Sequence, residues 1–364
     1  MSLCRRDVLS MGVSMSPRWQ PGQLLFAGFE GLALPEDLAR LIRAGRVGGV
    51  VLFARNVGEP GQVKSLNAAL HACAPEGAPL LIAIDQEGGR IQRLRDPWTQ
   101  WPPMRRLGEL NDSKMTAAVA RALALELSNL GIGLDFAPCV DVDTNPANPV
   151  IGDRSFGRDP TRVAAHAAHF IRAMQAAGIA SCAKHFPGHG DTACDSHLEL
   201  PRLDHDLARL RAVELPPFAA AIEAGVASIM TAHVLFPALD AKRPATLSPD
   251  VMAILREELA YDGVVFSDDL EMKAVADHHS PKALVEGCLE ADVDSLLVCK
   301  DPGLRDEVLR WLERAPDARL ENPLRRMIEL KRCYADPREV PEIADGESAA
   351  PPYAAHRALA DRFA

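Results

Sequence analysis

Apolar residues in this chain gather into eight short runs, over residues 23–28, 48–53, 79–84, 133–140, 179–183, 228–232, 263–267 and 294–298. Each is bounded by Gly, Pro or polar residues, and most are continuous rather than alternating. Continuous runs of this length predict strands buried on both faces, as in a parallel sheet covered by helices. Between the runs the apolar spacing becomes helical. Asp159-Pro160 supplies a cap and a first-turn proline, Val163, Ala167, Phe170 and Met174 line one face, and Gly178 ends the helix. Ser248-Pro249 opens another helix, with Val251, Ile254, Leu255 and Leu259 apolar, and Ser280-Pro281 and Asp301-Pro302 repeat the device. Eight strand-then-helix units predict a single-domain (β/α)8 TIM barrel. The competing arrangement is a doubly wound open sheet. No G-x-G-x-x-G follows the first strand, which weakens a dinucleotide-binding form of it.

Bulk properties narrow this picture. A length of 364 residues is ordinary for one such barrel, and 48% hydrophobic residues supply a large core. We assign residues 21–335 to the barrel and 1–20 to a disordered N-terminal extension. The Pro- and Ala-rich tail, 336–364, is expected to pack on the barrel or fray. Arg5-Arg6 before Val8-Leu9 resembles a twin-arginine export signal, but Asp7, Ser10 and Ser14 interrupt the apolar stretch and Pro17-Arg18 ends it. The expectation is therefore a cytoplasmic protein, with export as the alternative. Acids outnumber bases, 50 to 40, for a formal charge of −10, and no basic block is present. That balance argues against nucleic acid and anionic membrane as partners, and no apolar run is long enough to span a bilayer. The eight cysteines form no C-x-x-C pair, and several sit in apolar runs. They predict free thiols in a reducing compartment.

In a barrel, the C-terminal ends of the strands build the active site. The third run ends in Asp85-Gln86-Glu87-Gly88-Gly89-Arg90, with Arg93 nearby, and the fourth leads to Asp141, Asp143 and Asp153-Arg154-Ser155-Phe156-Gly157. The fifth delivers Lys184-His185-Phe186-Pro187-Gly188-His189-Gly190 and a loop reaching Asp195-Ser196-His197. Thr231 and His233 end the sixth, and Ser267-Asp268-Asp269 the seventh. Carboxylates set among His, Lys and Arg, without a phosphate loop, suit a polyhydroxylated substrate, because charged groups bond hydroxyls more strongly than neutral ones do. An aspartate directly after a buried strand is held rigidly, as a nucleophile requires. Spacing alone leaves open which of Asp268 and Asp269 points inward and which caps the helix that follows.

These motifs, with Ser267-Asp268-Asp269-Leu270, resemble the hallmark motifs of family 3 glycoside hydrolases, and within them the bacterial β-N-acetylglucosaminidases of peptidoglycan recycling. The resemblance runs in order from about residue 24 to 330. It implies that Asp268 is the nucleophile, His197 the general acid/base and Asp195 its partner. It implies that Asp85, Arg93, Arg154, Lys184 and His185 hold a terminal N-acetylglucosamine. The implied enzyme is a retaining exo-β-N-acetylglucosaminidase that forms a covalent glycosyl-aspartate. Its partners would be N-acetylglucosamine-containing saccharides and muropeptides, with no cofactor and no metal, and it would act as a monomer. An imidazole acid/base is chemically sound, since histidine titrates near neutrality and an adjacent aspartate fixes its tautomer. Gly188 and Gly190 would act as hinges carrying His197 over the sugar.

Blander readings stand beside these. Arg154 would pair at the surface with Asp153 or Asp159, a contact of little energetic value. His233 reads as a supporting residue, His166 and His169 as packing or solvated groups, and Cys194 carries no sign of activation. Other functions are another family 3 exo-glycosidase, or an N-acetylglucosaminide phosphorylase, because an imidazole does not repel an anionic acceptor. A metal-dependent barrel hydrolase would use His185, His189, Asp191, Asp195 and His197, although Pro187 and Gly188 interrupt that ligand run. A non-catalytic sugar-binding barrel is the last alternative.

Overall fold

Each of the eight apolar runs becomes a strand of one closed, all-parallel barrel whose neighbours follow chain order. The computed structural model describes residues 19–196, 199–335 and 350–363. The strands are β1 (Leu25–Ala27), β2 (Gly49–Leu52), β3 (Leu81–Ile84), β4 (Leu134–Asp135), β5 (Ala180–Phe186), β6 (Ser228–Thr231), β7 (Val264–Asp269) and β8 (Ser295–Val298). Closure is made by β1 against β8, with Phe26 opposite Leu297. Inside, the Phe266 ring meets Phe26 and Phe136 edge-on, at centroid distances of 5.0 and 5.4 Å. Such pairs fill the interior, so the barrel is a packed core and its chemistry is confined to the ends.

Helices start where the sequence marks them. The Asp159 carboxylate accepts the Arg162 N–H, Ser248 accepts that of Val251, Ser280 that of Ala283 and Asp301 that of Gly303. In each case proline takes a first-turn position, where its missing N–H costs nothing. His166 is buried, bonded through Nδ1 to Thr116 Oγ1 at 2.7 Å and stacked on Phe156, while His169 sits exposed on the same helix.

Three strands depart from the expected bounds by more than one residue at the end that matters for chemistry. β4 was expected over 133–140 but its regular part stops at Asp135. Pro138 has no N–H to give the ladder, so the segment beyond pairs with β5 irregularly, the Ala137 and Pro138 carbonyls accepting from Cys182 and Lys184 at 2.9 and 3.3 Å and Val140 donating to the Lys184 carbonyl at 2.8 Å. β5 runs on to Phe186 and therefore carries Lys184 and His185 within the strand, past a register shift between Lys184 and Phe186. β7 likewise continues through Asp268 and Asp269.

The expectation of eight free thiols needs correction, because Cys333 is disulfide-bonded. Cys73, Cys139, Cys182, Cys194, Cys288 and Cys299 are free. The extension expected over 1–20 lies, up to residue 18, outside the described residues, as does the tail from 336 to 349. The helix Ala354–Ala360 packs beside Ser113–Ser128, where His356 Nδ1 meets Glu126 Oε1 at 2.8 Å and Tyr353 is buried. Among the described residues, no helix is long and apolar enough to cross a membrane.

Candidate active site

The strand ends assemble a network of buried ions. Asp85 and Glu87, two residues apart after β3, both face the Lys184 ammonium, whose Nζ lies 2.8 Å from Asp85 Oδ1 and 2.6 Å from Glu87 Oε1. Arg93 reaches back to Asp85 Oδ2 at 3.0 Å. Arg154 forms a bidentate pair with Glu87, at 2.9 and 2.8 Å. Burial opposes every one of these charges, and only the mutual pairing overcomes it. The charges of Arg154 and Lys184 hold the Glu87 carboxyl at about 2 against burial, and Lys184 and Arg93 hold Asp85 well below the usual carboxylate range. Against the same penalty, Asp85 and Glu87 raise Lys184 above an ordinary lysine.

His185 extends the network toward β4. Its Nδ1 lies 2.7 Å from Asp141 Oδ2 and its Nε2 3.3 Å from Arg154 Nη2. A guanidinium only donates, so the ring presents Nε2 to Arg154 and directs Nδ1 at the Asp141 carboxylate. Asp141 also collects the His189 N–H at 2.7 Å and the Cys139 thiol at 3.2 Å. Burial opposes its charge, but His185 and His189 keep it ionised, below the usual range.

Two strands further round, Asp268 sits half-buried at the end of β7, its Oδ1 accepting the Asp269 N–H at 2.8 Å. Burial works against its charge, yet the fields of His233 and His185, the Asp269 N–H and Lys184 hold the carboxyl below its ordinary value. Asp269 instead fastens the strand end, while the next helix, Lys273–Ala276, starts at Met272 without a side-chain cap. Asp269 Oδ1 takes the Glu271 N–H at 3.1 Å and the Cys299 N–H at 3.3 Å, tying β7 to the segment after β8. Burial and the neighbouring Glu271 push its carboxyl up to about 7.

The loop after β5 departs from the expected hinge. His189 is buried, with Nδ1 2.8 Å from Thr192 Oγ1 and Nε2 3.2 Å from Ser196 Oγ. Burial and nearby His185 push it down to about 4, so it is neutral. Asn148 donates to the His189 carbonyl at 2.8 Å and Asn145 to the Thr192 carbonyl at 3.1 Å. A Cβ on Gly190 would lie 1.9 Å from the Val142 carbonyl oxygen. The glycine is there for close approach of two backbones rather than for swing. The loop then crosses to the β7 side, where the Ser196 carbonyl accepts the Ala274 N–H at 3.3 Å. Asp195 is at this crossing, and its carbonyl accepts the Glu199 N–H at 3.1 Å. His197 lies outside the described residues.

Among the described residues, the alternative metal set does not converge. Asp191 is turned to His205, at 2.9 Å, and to Thr144, at 2.9 Å. Cys139, Asp141 and His185 do bring donor atoms within 4.8 Å of one another. Burial, however, raises the Cys139 thiol well above its ordinary value, and it donates to Asp141 rather than offering a thiolate.

Sequence comparison decides the family. The model of the glycosyl hydrolase family 3 N terminal domain matches residues 19–330. The chain belongs to glycoside hydrolase family 3. The Beta-hexosaminidase of Nitrosomonas eutropha is 41% identical over 286 residues, covering 76% of this chain and 81% of that protein. That of Thiobacillus denitrificans is 40% identical over 319 residues, 86% of each chain. A family 3 β-N-acetylglucosaminidase structure from Paenibacillus sp. superposes with a TM-score of 0.89 at 38% identity, covering 96% of this chain and 68% of that one. NagZ from Neisseria gonorrhoeae gives 0.82 at 33% identity, covering 94% and 97%. The protein is thus a glycoside hydrolase.

As a family 3 barrel, it brings Asp85, Arg93, Arg154, Lys184 and His185 into one connected cluster, with Asp268 facing it. Arg154 is not the surface partner of Asp153 or Asp159, because Glu87 binds it in the interior. Glu87 and Asp141 were visible after the strands but carried no assigned role. The signal for Glu87 was its two-residue spacing from Asp85, which puts both on one side of an extended segment.

Proposed function

We propose that this family 3 enzyme removes terminal, non-reducing β-linked N-acetylglucosamine with retention of configuration. The Asp268 carboxylate, ionised in spite of burial and facing the Lys184–His185 cluster, carries the reading. Support comes from relatives named Beta-hexosaminidase and from NagZ of Neisseria gonorrhoeae, solved with N-trifluoroacetyl-D-glucosamine. Asp85, Arg93, Arg154, Lys184 and His185 bind the sugar. Arg93 Nε is buried without a partner among the described residues, so it is a donor free for a hydroxyl or acetamide oxygen.

In the first step an Asp268 oxygen bonds to the anomeric carbon, while the glycosidic bond breaks with its electron pair on the leaving oxygen. His197, paired with Asp195, gives that oxygen a proton. Water then gives the same imidazole a proton and attacks the anomeric carbon, releasing the sugar and restoring Asp268. The Ser196–Ala274 bond brings Asp195-Ser196 to the β7 side, which favours this pairing of roles. We take residues 21–335 as one catalytic domain acting as a monomer, and muropeptide fragments in the cytoplasm as the natural substrates.

Incubation with a fluorinated N-acetylglucosaminyl donor, followed by peptide mapping, tests the mechanism. The label is expected on Asp268, and Asp268→Ala should lose turnover by a factor on the order of 10⁴ or more while still binding sugar. Label on any other residue, or full activity in Asp268→Ala, would refute it.

A further inference from the structure

Asp268 must be a carboxylate to attack, although burial opposes its charge. Among the described residues, the ionisable groups facing it include Lys184 and His185 on β5, His189 on the loop that follows, His233 after β6, and Cys299 after β8, beside its own neighbour Asp269. Most of these supply no net positive charge. Lys184 is shared between Asp85 and Glu87. His185 is committed through Nδ1 to the Asp141 carboxylate, burial holds His189 neutral, and the buried Cys299 thiol is raised far from ionisation. Asp269 is an acid and opposes a second negative charge.

His233 is different. It is fully buried, and its Nε2 lies 3.0 Å from the Asp269 carbonyl oxygen, which can only accept. Its Nδ1 lies 2.8 Å from Thr246 Oγ1. That hydroxyl has one proton, with the Ala232 carbonyl 3.1 Å away to receive it, and it also lies 2.9 Å from Thr231 Oγ1, which reaches the Phe266 carbonyl at 3.4 Å. With the Thr246 proton on Ala232, a lone pair faces Nδ1, and His233 donates from both nitrogens. A ring that donates twice is an imidazolium.

We infer that His233 is a protonated positioning residue that keeps Asp268 ionised for attack and, by bonding the Asp269 carbonyl, anchors the strand end that carries it. The inference rests on Asp268 being the nucleophile. A nearby positive charge typically lowers a carboxyl by a unit or more, so its loss appears at the acid limb of the rate profile. A role in packing alone would leave that limb in place.

The test measures kcat and KM of the full chain against pH with an aryl N-acetylglucosaminide. His233→Asn keeps an N–H donor for the Asp269 carbonyl and removes the charge. We expect the acid limb of kcat to move up by roughly one pH unit with KM little changed. Thr246→Val, which leaves the ring but takes away the acceptor at Nδ1, should move the limb in the same direction. Should His233→Asn fail to fold, ¹⁵N-histidine NMR of the unmodified protein at pH 7 decides, with both His233 nitrogens expected to be protonated. An unmoved acid limb in a folded His233→Asn, or an unprotonated Nδ1, overturns the inference. Asp268→Asn run in parallel separates the two readings. If it retains turnover, the nucleophile assignment fails; if it is inactive while the limb stays put, only the role of His233 fails.

Discussion

Glu87 has both oxygens committed to cations that face the sugar site, one to Lys184 and both to Arg154. Removing its charge leaves two buried cations short of a counter-ion, and breaking a buried pair from one side typically costs about 3 kcal/mol or more. Glu87→Gln has nearly the same shape, so its effects report charge rather than volume. We expect a thermal or denaturant melt to show that loss of stability. We also expect KM to rise roughly tenfold, equivalent to about 1.4 kcal/mol of ground-state binding. A variant with unchanged KM would mean that Lys184 and Arg154 do not need Glu87 to present their donors.

The loop after β5 divides into a pinned half and a second half. Residues 187–192 are held by Asp141, Asn145 and Asn148, and Gly190 lies against the Val142 carbonyl. Further along, Leu203 is tied down again, its N–H bonding the Leu235 carbonyl at 2.9 Å. Gly190→Ala should cost about 3 kcal/mol, because its Cβ meets backbone that cannot yield cheaply. It should also lower activity by displacing Asp141 and His185. Gly61 makes the control, since nothing lies within 4 Å of a Cβ placed there, in the helix Pro60–Cys73. Gly61→Ala should leave activity intact and leave stability level or higher by about 0.5 kcal/mol, as measured by melting. Equal melting temperatures for the two variants would defeat the packing argument.

At the scale of the whole molecule, the barrel's two ends differ in chemistry. One end carries the candidate site; at the other, Arg256 and Arg326 pair with buried Asp294 at 2.7 and 2.9 Å, whereas Lys331, 1% exposed, has Nζ 2.6 Å from Gln23 Oε1 and 5.6 Å from the Trp19 ring. Burial pushes this lysine down from 10.5 to about 7. Below about pH 7 it is charged in both folded and unfolded states, and folding carries the full desolvation penalty. As pH rises from 7 toward 10.5 the folded state stays neutral while the unfolded chain still binds a proton, so the penalty fades. Lys331→Met removes this titration. Its stability relative to the parent should therefore be better at pH 6 than at pH 10, by on the order of 3 kcal/mol. Equal differences at both pH values in denaturant melts would show that Lys331 is not desolvated as its burial suggests.

The pattern of apolar runs and helix caps was enough to determine eight parallel strands and the end of the barrel where chemistry gathers. A run buried on both faces has few architectures open to it, and caps act over three or four residues. Motif spacing likewise brings Asp85, Lys184, His185 and Asp268 to the same end of the barrel, at β3, β5 and β7. What it could not decide depends on contacts between residues far apart in the chain. Arg154 pairs with Glu87 across 67 positions rather than with nearby Asp153 or Asp159. The division of labour between Asp268 and Asp269 rests on the Cys299 N–H, 30 residues on. Gly190 looks like a hinge until Val142 is placed against it, and Lys331 looks like an ordinary helix lysine until the barrel floor closes over it. Local propensity is written residue by residue, whereas ionisation and rigidity are set by burial and by partners that only the closed barrel assembles.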